Sequence, residues 1–115
     1  MSISHEDIKN VYFVGAGGIG MSALERYFNS RGISVAGYDR TPTRLTETLQ
    51  AEGIDIVFDD DDALIPERFR NPADTLVVFT PAVPESHRGL SWFRSNGFTV
   101  MKRSEVLGLI TAPTK

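Results

Sequence analysis

The sequence has 115 residues, a formal net charge of −3 and no cysteine. This length is typical of one domain that buries about two thirds of its unfolded surface, and we expect residues 1–115 to form a single unit. The acidic balance argues against nucleic acid as the main partner, because no basic face is left to neutralise a phosphate backbone. Without cysteine the chain has no disulfide, no thiolate metal site and no cysteine nucleophile.

The N-terminal segment MSISHEDIKN has no basic region followed by an apolar run, so it lacks the pattern of a signal peptide. No apolar run in the sequence reaches the length that spans a bilayer. We therefore expect a soluble, cytoplasmic protein with no membrane partner.

A glycine-rich loop joins the first predicted strand, residues 10–14, to the first predicted helix, residues 19–31. A strand, a glycine loop and a helix in this order are typical of a phosphate site. Successive backbone N–H groups and the positive end of the helix dipole point at one spot, and glycines let an anion approach the backbone. The predicted ligand contacts in this segment are Gly15, Ala16, Gly17, Gly18, Ile19, Gly20, Met21 and Ser22.

Three interpretations of the loop compete. Gly15, Gly17 and Gly20 fit the dinucleotide pattern G-x-G-x-x-G. The outer glycines and Ser22 also fit the ATP-binding pattern G-x-x-x-x-G-K-[ST], but Met21 stands at the lysine position and cannot bring a charge to the phosphates, so ATP hydrolysis is not expected here. A tight turn without a ligand is the third interpretation. A nucleoside diphosphate is the favoured occupant.

Asp39 follows the second predicted strand, residues 33–38, and lies 19 positions after Gly20. An acid at this distance accepts the ribose hydroxyls in dinucleotide-binding sheets and disfavours a 2′-phosphate. Asp39 also begins good turn chemistry with Thr41 and Pro42, so a capping role stays open. Arg40 either pairs with a phosphate or lies in solvent.

Four consecutive aspartates, residues 59–62, follow the third predicted strand. A calcium loop needs alternating ligands, a turn glycine and a distal glutamate, which this run lacks, so no metal site is expected. We interpret the run as a helix cap and a solvated stretch. Asp59 is a candidate ligand contact because it comes directly after a strand.

The second half of the chain continues the alternation of strands and helices. Residues 75–79 form the most apolar strand, expected at the sheet centre, and the loop Thr80, Pro81, Ala82 and Val83 then faces the glycine loop. His87 begins a helix, without a serine–acid arrangement beside it, and no catalytic residue is assigned. Ser104 is expected to cap the final helix. The remaining predicted elements are a helix over 43–52, a strand over 55–58, a short helical turn over 64–69, a helix over 87–95 and a strand over 97–101.

These elements predict an α/β fold with a Rossmann-like, doubly wound parallel sheet of five strands. Right-handed crossovers favour the strand order 3-2-1-4-5. Ligands bind such sheets outside the carboxyl ends of the strands, where the winding reverses. We therefore expect the site between strands 1 and 4.

Four stretches resemble the N-terminal domain of the Mur ligases, and among them the members that add L-alanine to UDP-N-acetylmuramate. They are residues 13–22 (FVGAGGIGMS), 35–39 (VAGYD), 78–84 (VFTPAVP) and 100–107 (VMKRSEVL). The resemblance implies that the chain binds the UDP part of UDP-N-acetylmuramate, with the pyrophosphate on Gly17 to Met21. It also implies that Asp39, Asp59 and the loop from Thr80 to Val83 shape the uridine pocket, and that Arg103 holds phosphate or the sugar.

The same resemblance implies a role in peptidoglycan biosynthesis for a longer, three-domain ligase that uses ATP, Mg²⁺ and L-alanine. Those ligands need a central and a C-terminal domain for which 115 residues leave no room. The chain as given is thus expected to bind UDP-N-acetylmuramate without catalysing a reaction and without a cofactor of its own. Two alternatives remain, an NAD-binding Rossmann domain of an oxidoreductase or regulatory protein, and a domain that senses CoA or NAD without chemistry.

Overall fold

The computed structural model describes residues 5–84 and 86–111. Its strands are β1 (Asn10–Val14), β2 (Ser34–Tyr38), β3 (Asp55–Val57), β4 (Thr75–Phe79) and β5 (Thr99–Lys102). Its α-helices are α1 (Ile19–Ser30), α2 (Arg44–Ala51), α3 (Arg88–Ser95) and α4 (Arg103–Thr111). Three 3₁₀ turns, His5–Asp7, Asp62–Leu64 and Glu67–Phe69, complete the described elements.

All four strand pairings are parallel and give the order β3-β2-β1-β4-β5, which confirms the predicted topology. The sheet centre is β1, so the prediction that β4 lies there was wrong by one position. Both strands are almost wholly buried, which explains why apolar content alone did not separate them.

Helices cover both faces of the sheet, as a doubly wound fold requires. On one face α1, α2 and α4 bury Phe28, Leu49 and Val106 against the sheet. On the other face α3 and the two 3₁₀ turns after β3 bury Phe93 and Phe69. The sheet is therefore closed to solvent on both faces, and its strand ends are the places where polar side chains gather.

Two local predictions were wrong. The predicted helical turn over 64–69 is two separate 3₁₀ turns, because Pro66 has no N–H to continue a helical ladder. The final helix begins at Arg103, so Ser104 is not its cap. The Glu105 carboxylate instead accepts a hydrogen bond of 2.7 Å from the Lys102 N–H, which caps the helix from its first turn.

Candidate functional site

The candidate site lies at the carboxyl ends of the strands, which the sheet register makes level. Val14 of β1 pairs with Tyr38 of β2 and with Phe79 of β4, and Phe79 in turn pairs with Lys102 of β5. The residues that follow these four strand ends are therefore neighbours at one edge of the sheet. They are Gly15, Asp39, Thr80 and Arg103.

The glycine loop packs against the carboxyl end of β2 and against Thr80, the residue after β4. The N–H groups of Gly15 and Ala16 both donate to the Tyr38 carbonyl oxygen at 2.8 Å. Gly15 has φ +99°, and a Cβ at this position would collide with the Thr80 Cγ2. Only glycine therefore fits the first position of the loop, because it adopts the positive φ without strain and leaves room for the Thr80 side chain.

The Asp39 carboxylate is hydrogen-bonded to the glycine loop and to its own turn. Its Oδ2 accepts a 2.5 Å hydrogen bond from the Gly17 N–H, and its Oδ1 accepts one of 3.1 Å from the Thr41 N–H. The second bond confirms the turn role that the sequence left open. Each carboxylate oxygen has a further lone pair, so ribose binding by Asp39 stays a prediction.

The first turn of α1 presents backbone to the site. The N–H groups of Met21 and Ser22 bond back to the Gly18 carbonyl oxygen, whereas the Gly20 N–H has no acceptor within the described residues. The side chain of Met21 is buried in the core, so only its backbone faces a ligand. The side chain of Ile19 lies outside what the structure describes.

Arg103 reaches across from α4 to this turn. Its Nε donates a 3.0 Å hydrogen bond to the Gly20 carbonyl oxygen. A Cβ on Gly20 would stand 2.5 Å from the Arg103 Nε and 2.8 Å from its Cζ. The missing side chain at position 20 thus allows the guanidinium to lie over the N-terminus of α1.

Two cavities open on either side of Gly18 and Thr80, which line both. The first, here called the acidic cavity, has a volume of about 430 Å³ and is also lined by Gly15, Gly17, Tyr38, Asp39, Arg40, Asp60, Ala82, Val83, Pro84 and His87. The second, here called the basic cavity, has a volume of about 400 Å³ and is also lined by Gly20, Met21, Pro81, Lys102, Arg103 and Ser104. Each is large enough for a small-molecule ligand.

Comparison with known proteins decides the family. Residues 10–115 match the profile described as "Mur ligase family, catalytic domain". The chain belongs to the Mur ligase family. It is 63% identical over 105 residues to the UDP-N-acetylmuramate–L-alanine ligase of Parabacteroides distasonis, covering 91% of this chain and 23% of that protein. It is 59% identical over 104 residues to the ligase of the same name from Phocaeicola vulgatus, covering 90% of this chain and 23% of that protein.

Solved structures of Mur ligases have the same fold. The UDP-N-acetylmuramate-alanine ligase of Thermotoga maritima superposes with a TM-score of 0.75 at 28% identity, covering 85% of this chain and 21% of that one. A ligase of Neisseria meningitides for UDP-N-acetylmuramate and L-alanyl-gamma-D-glutamyl-meso-diaminopimelate gives 0.74 at 20% identity, covering 88% of this chain and 30% of that one, and supports the fold alone. The present chain spans about a quarter of the length of the two curated relatives, from Parabacteroides distasonis and Phocaeicola vulgatus.

The structure places most of the predicted ligand contacts on the two cavities. Ala16, which is buried in the core, and Ser22 line neither cavity. Asp59 is exposed and also lines neither. The next residue, Asp60, lies in the acidic cavity instead. Hydrogen bonds from the Arg88 and Gly89 N–H groups to the Asp60 Oδ1, at 2.8 and 3.3 Å, hold it there.

Sequence reasoning missed the contribution of Tyr38, Asp60, Pro84 and His87 to the acidic cavity and of Lys102 and Ser104 to the basic one. Lys102 could have been found from strand pairing, because a level sheet edge brings the end of β5 beside Thr80. The place of His87 depends on how the chain turns after β4, for which the sequence holds no such signal.

His87 is the N-cap of α3, where its Nδ1 accepts a 3.1 Å hydrogen bond from the Leu90 N–H. Its proton is therefore assigned to Nε2, which lies 3.2 Å from the Asp60 Oδ1 without the alignment of a hydrogen bond. Burial lowers the pKa of His87, and the Asp60 carboxylate opposes that shift. A neutral imidazole packed beside a carboxylate is the result.

The glycine loop of this Mur ligase chain does not fit the pattern of an ATP-binding loop. Met21 is buried at the position where an ATP-binding loop carries lysine. Within residues 5–84 and 86–111, no group of three or more His, Asp or Glu residues could hold a metal ion. Among the helices described, none has the length and apolar character to cross a membrane.

Proposed function

We propose that this chain binds UDP-N-acetylmuramate through its UDP part. The observation that carries the proposal is the meeting of the acidic and basic cavities at Gly18 and Thr80, over a helix N-terminus whose Gly20 N–H has no acceptor among the residues that the structure describes. A diphosphate is the part of such a ligand that suits this junction, because the backbone N–H groups and the helix dipole favour negative charge there.

The charges of the two cavities suggest an orientation. Lys102 and Arg103 line the basic cavity, where they would neutralise phosphate oxygens and hold the start of the sugar. In the acidic cavity two carboxylates, Asp39 and Asp60, outnumber the one arginine, Arg40. These acceptors suit the uncharged uridine, whose hydroxyls and base carry hydrogen-bond donors. In this arrangement the diphosphate lies over Gly17 to Met21, as the sequence resemblance implies.

We further propose that the chain serves the ATP-dependent addition of L-alanine in peptidoglycan synthesis as part of a longer ligase. The support is the 63% identity with a relative named for that reaction. The chain spans 23% of that relative, and its glycine loop carries Met21 where an ATP-binding loop carries lysine. ATP, Mg²⁺ and L-alanine would then bind elsewhere in the longer protein, and the chain alone would bind substrate without turnover.

Calorimetric titration with UDP-N-acetylmuramate, UDP and NAD tests the proposal. We expect saturable binding of both uridine ligands and none of NAD. Binding of NAD alone would overturn the proposal in favour of a dinucleotide-binding domain. The absence of binding by all three ligands would remove a substrate-binding role from this chain in isolation.

Gly20→Val is the matching loop variant. The valine side chain would displace the Arg103 guanidinium and fill the space over the first turn of α1, so we expect no detectable binding of UDP-N-acetylmuramate. Gly108→Val is the control, because Gly108 is also helical and a Cβ there meets no atom of the described residues within 4 Å. Unchanged affinity in Gly20→Val, with circular dichroism showing a folded chain in both variants, would exclude the loop as the diphosphate site.

A further inference from the structure

The acidic cavity contains a fixed carboxylate that the proposed diphosphate site does not use. Asp60 follows β3 and reaches the N-terminus of α3, where its Oδ1 accepts hydrogen bonds from the N–H groups of Arg88 and Gly89. These two donors at the start of α3 fix the position of the carboxylate in the cavity wall. Among the described residues the second oxygen, Oδ2, has no hydrogen-bond partner.

We propose that Asp60 selects the base of the bound nucleotide by accepting the N3–H of uracil on its Oδ2. This inference rests on the proposed function, since it concerns the base of the same ligand. It assigns the preference for uridine over cytidine to one oxygen of one side chain.

The chemistry of the two pyrimidines explains the choice. Uracil carries a hydrogen on N3, which is a donor that a carboxylate oxygen accepts. Cytosine has a lone pair on N3, which would face the negative oxygen without a proton between them. A site with a fixed charged acceptor therefore favours uracil and leaves cytosine with a repulsive contact.

The other carboxylates near the site are less suitable for this role. Both oxygens of Asp39 already accept backbone N–H groups, one from Gly17 and one from Thr41. Asp59 is exposed and lines neither cavity. Asp60 alone among the three combines a place in the cavity wall with an oxygen that has no partner in the part of the chain described.

His87 acts as a positioning residue for Asp60. His87 is 5% exposed. Its ring packs edge-on against the Tyr38 ring, with 4.3 Å between the ring centroids, and its Nε2 lies 3.2 Å from the Asp60 Oδ1. Within the described residues Nε2 has no hydrogen-bond partner, so the imidazole is placed by packing and by its cap to Leu90. A rigid ring at this distance limits rotation of the carboxylate and keeps Oδ2 available.

Asp60→Asn tests the inference by changing one atom. The amide oxygen keeps the two N–H groups of α3 as donors, and the amide nitrogen replaces Oδ2, so that an acceptor becomes a donor. We measure the dissociation constants of UDP and CDP by calorimetry. The unmodified chain should prefer UDP by about tenfold or more, and in Asp60→Asn this ratio should fall by about tenfold or more, with tighter binding of CDP.

Asp59→Asn is the control, because it removes the same charge one residue earlier without touching either cavity. It should keep the preference of the unmodified chain for UDP. His87→Asn, which retains an oxygen acceptor for the cap of α3, should lower the UDP preference while CDP affinity changes little. A UDP preference unchanged in His87→Asn would overturn the positioning role.

The results separate this inference from the proposed function. UDP binding with the same UDP-to-CDP ratio in the unmodified chain and in Asp60→Asn would overturn the role of Asp60 and leave the substrate-binding proposal standing. Equal affinity of the unmodified chain for UDP and CDP would do the same. Binding of neither nucleotide would overturn both.

Discussion

The acidic and basic cavities share Gly18 and Thr80 as a common wall but differ in the groups they present to a ligand. Asp39, Asp60 and a single cation, Arg40, line one, whereas the cations Lys102 and Arg103 line the other without a carboxylate. The carboxylates come from the ends of β2 and β3, and the cations come from the junction of β5 and α4. The two sides of one doubly wound sheet thus supply opposite charges to a single crevice, which suits a ligand with an anionic centre and an uncharged nucleoside.

Thr80, one residue of the common wall, packs against Gly15, and disturbing this contact should have the largest effect. Gly15→Ala would place a Cβ against the Thr80 Cγ2 in a backbone with φ +99°. We expect the free energy of unfolding to fall by about 3 kcal/mol, from the strained φ and the overpacking together. Urea denaturation measures the change.

Gly97→Ala is the control for Gly15→Ala. Gly97 also has a positive φ of +79°, but within the described part of the chain a Cβ there meets nothing within 4 Å. Its cost should be about 1 kcal/mol, from the backbone alone. Equal losses in the two variants would mean that the contact between the loop and Thr80 does not hold the cavities in place.

Glu25 of α1 carries a third carboxyl group, which lies in the protein core. It is fully buried, and neither of its oxygens has a hydrogen-bond partner in the described part of the chain. Burial raises the pKa of Glu25 to about 9, and the Asp39 carboxylate shifts it in the same direction. The folded chain therefore holds this group protonated at neutral pH, within the electrostatic influence of Asp39.

Because unfolding lets Glu25 ionise, the free energy of unfolding should decrease as pH rises from about 4.5 to about 9. Glu25→Gln removes this proton release. We expect it to raise the free energy of unfolding by on the order of 2–3 kcal/mol at pH 8 and by little at pH 4.5.

Denaturation of both chains at the two pH values measures that difference. Glu47→Gln, a change of an exposed carboxyl on α2, is the control and should leave the pH dependence as it was. A Glu25→Gln chain no more stable than the unmodified one at pH 8 would mean that Glu25 is ionised in the fold.

The smallest expected effect is the loss of ligand affinity when Arg103 of the basic cavity is replaced. Arg103→Ala removes the guanidinium over the start of α1 and should weaken binding of UDP-N-acetylmuramate and of UDP by about tenfold, with uridine affected little. Arg68→Ala is the control, because Arg68 donates to the Ser34 Oγ at the opposite edge of the sheet. Equal weakening for uridine and UDP would place Arg103 beside the nucleoside and reverse the orientation proposed for the ligand.

The sequence predicted the fold well because its signals are local. The alternation of apolar strands with helical patterns, the glycine loop after β1 and Asp39 after β2 were enough for the strand order that the structure confirms. The helix starts were less certain. At α4 the cap depends on Glu105 reaching back to the Lys102 N–H rather than on the serine that stands in the expected place.

The site was less predictable where it depends on residues distant in sequence. Arg103 lies 83 positions from Gly20, and Asp60 lies 28 positions from Arg88, yet hydrogen bonds join each pair. From the aspartate run the sequence predicted Asp59 as the ligand contact, whereas in the structure the next residue, Asp60, lines the cavity. Donors from α3 decide that, because they hold Asp60 and leave Asp59 in solvent.

By itself, the sequence determined the class of fold, the position of the glycine loop and the family to which the chain belongs, because each depends on residue types at short, fixed spacings. Only the tertiary structure decided that the loop separates an acidic from a basic cavity, that Asp39 is engaged with Gly17, and that Asp60 and His87 share one wall. These features arise from the level register of the parallel strands and from the side on which each connection returns. Both are set by packing across the whole sheet and not by any one segment.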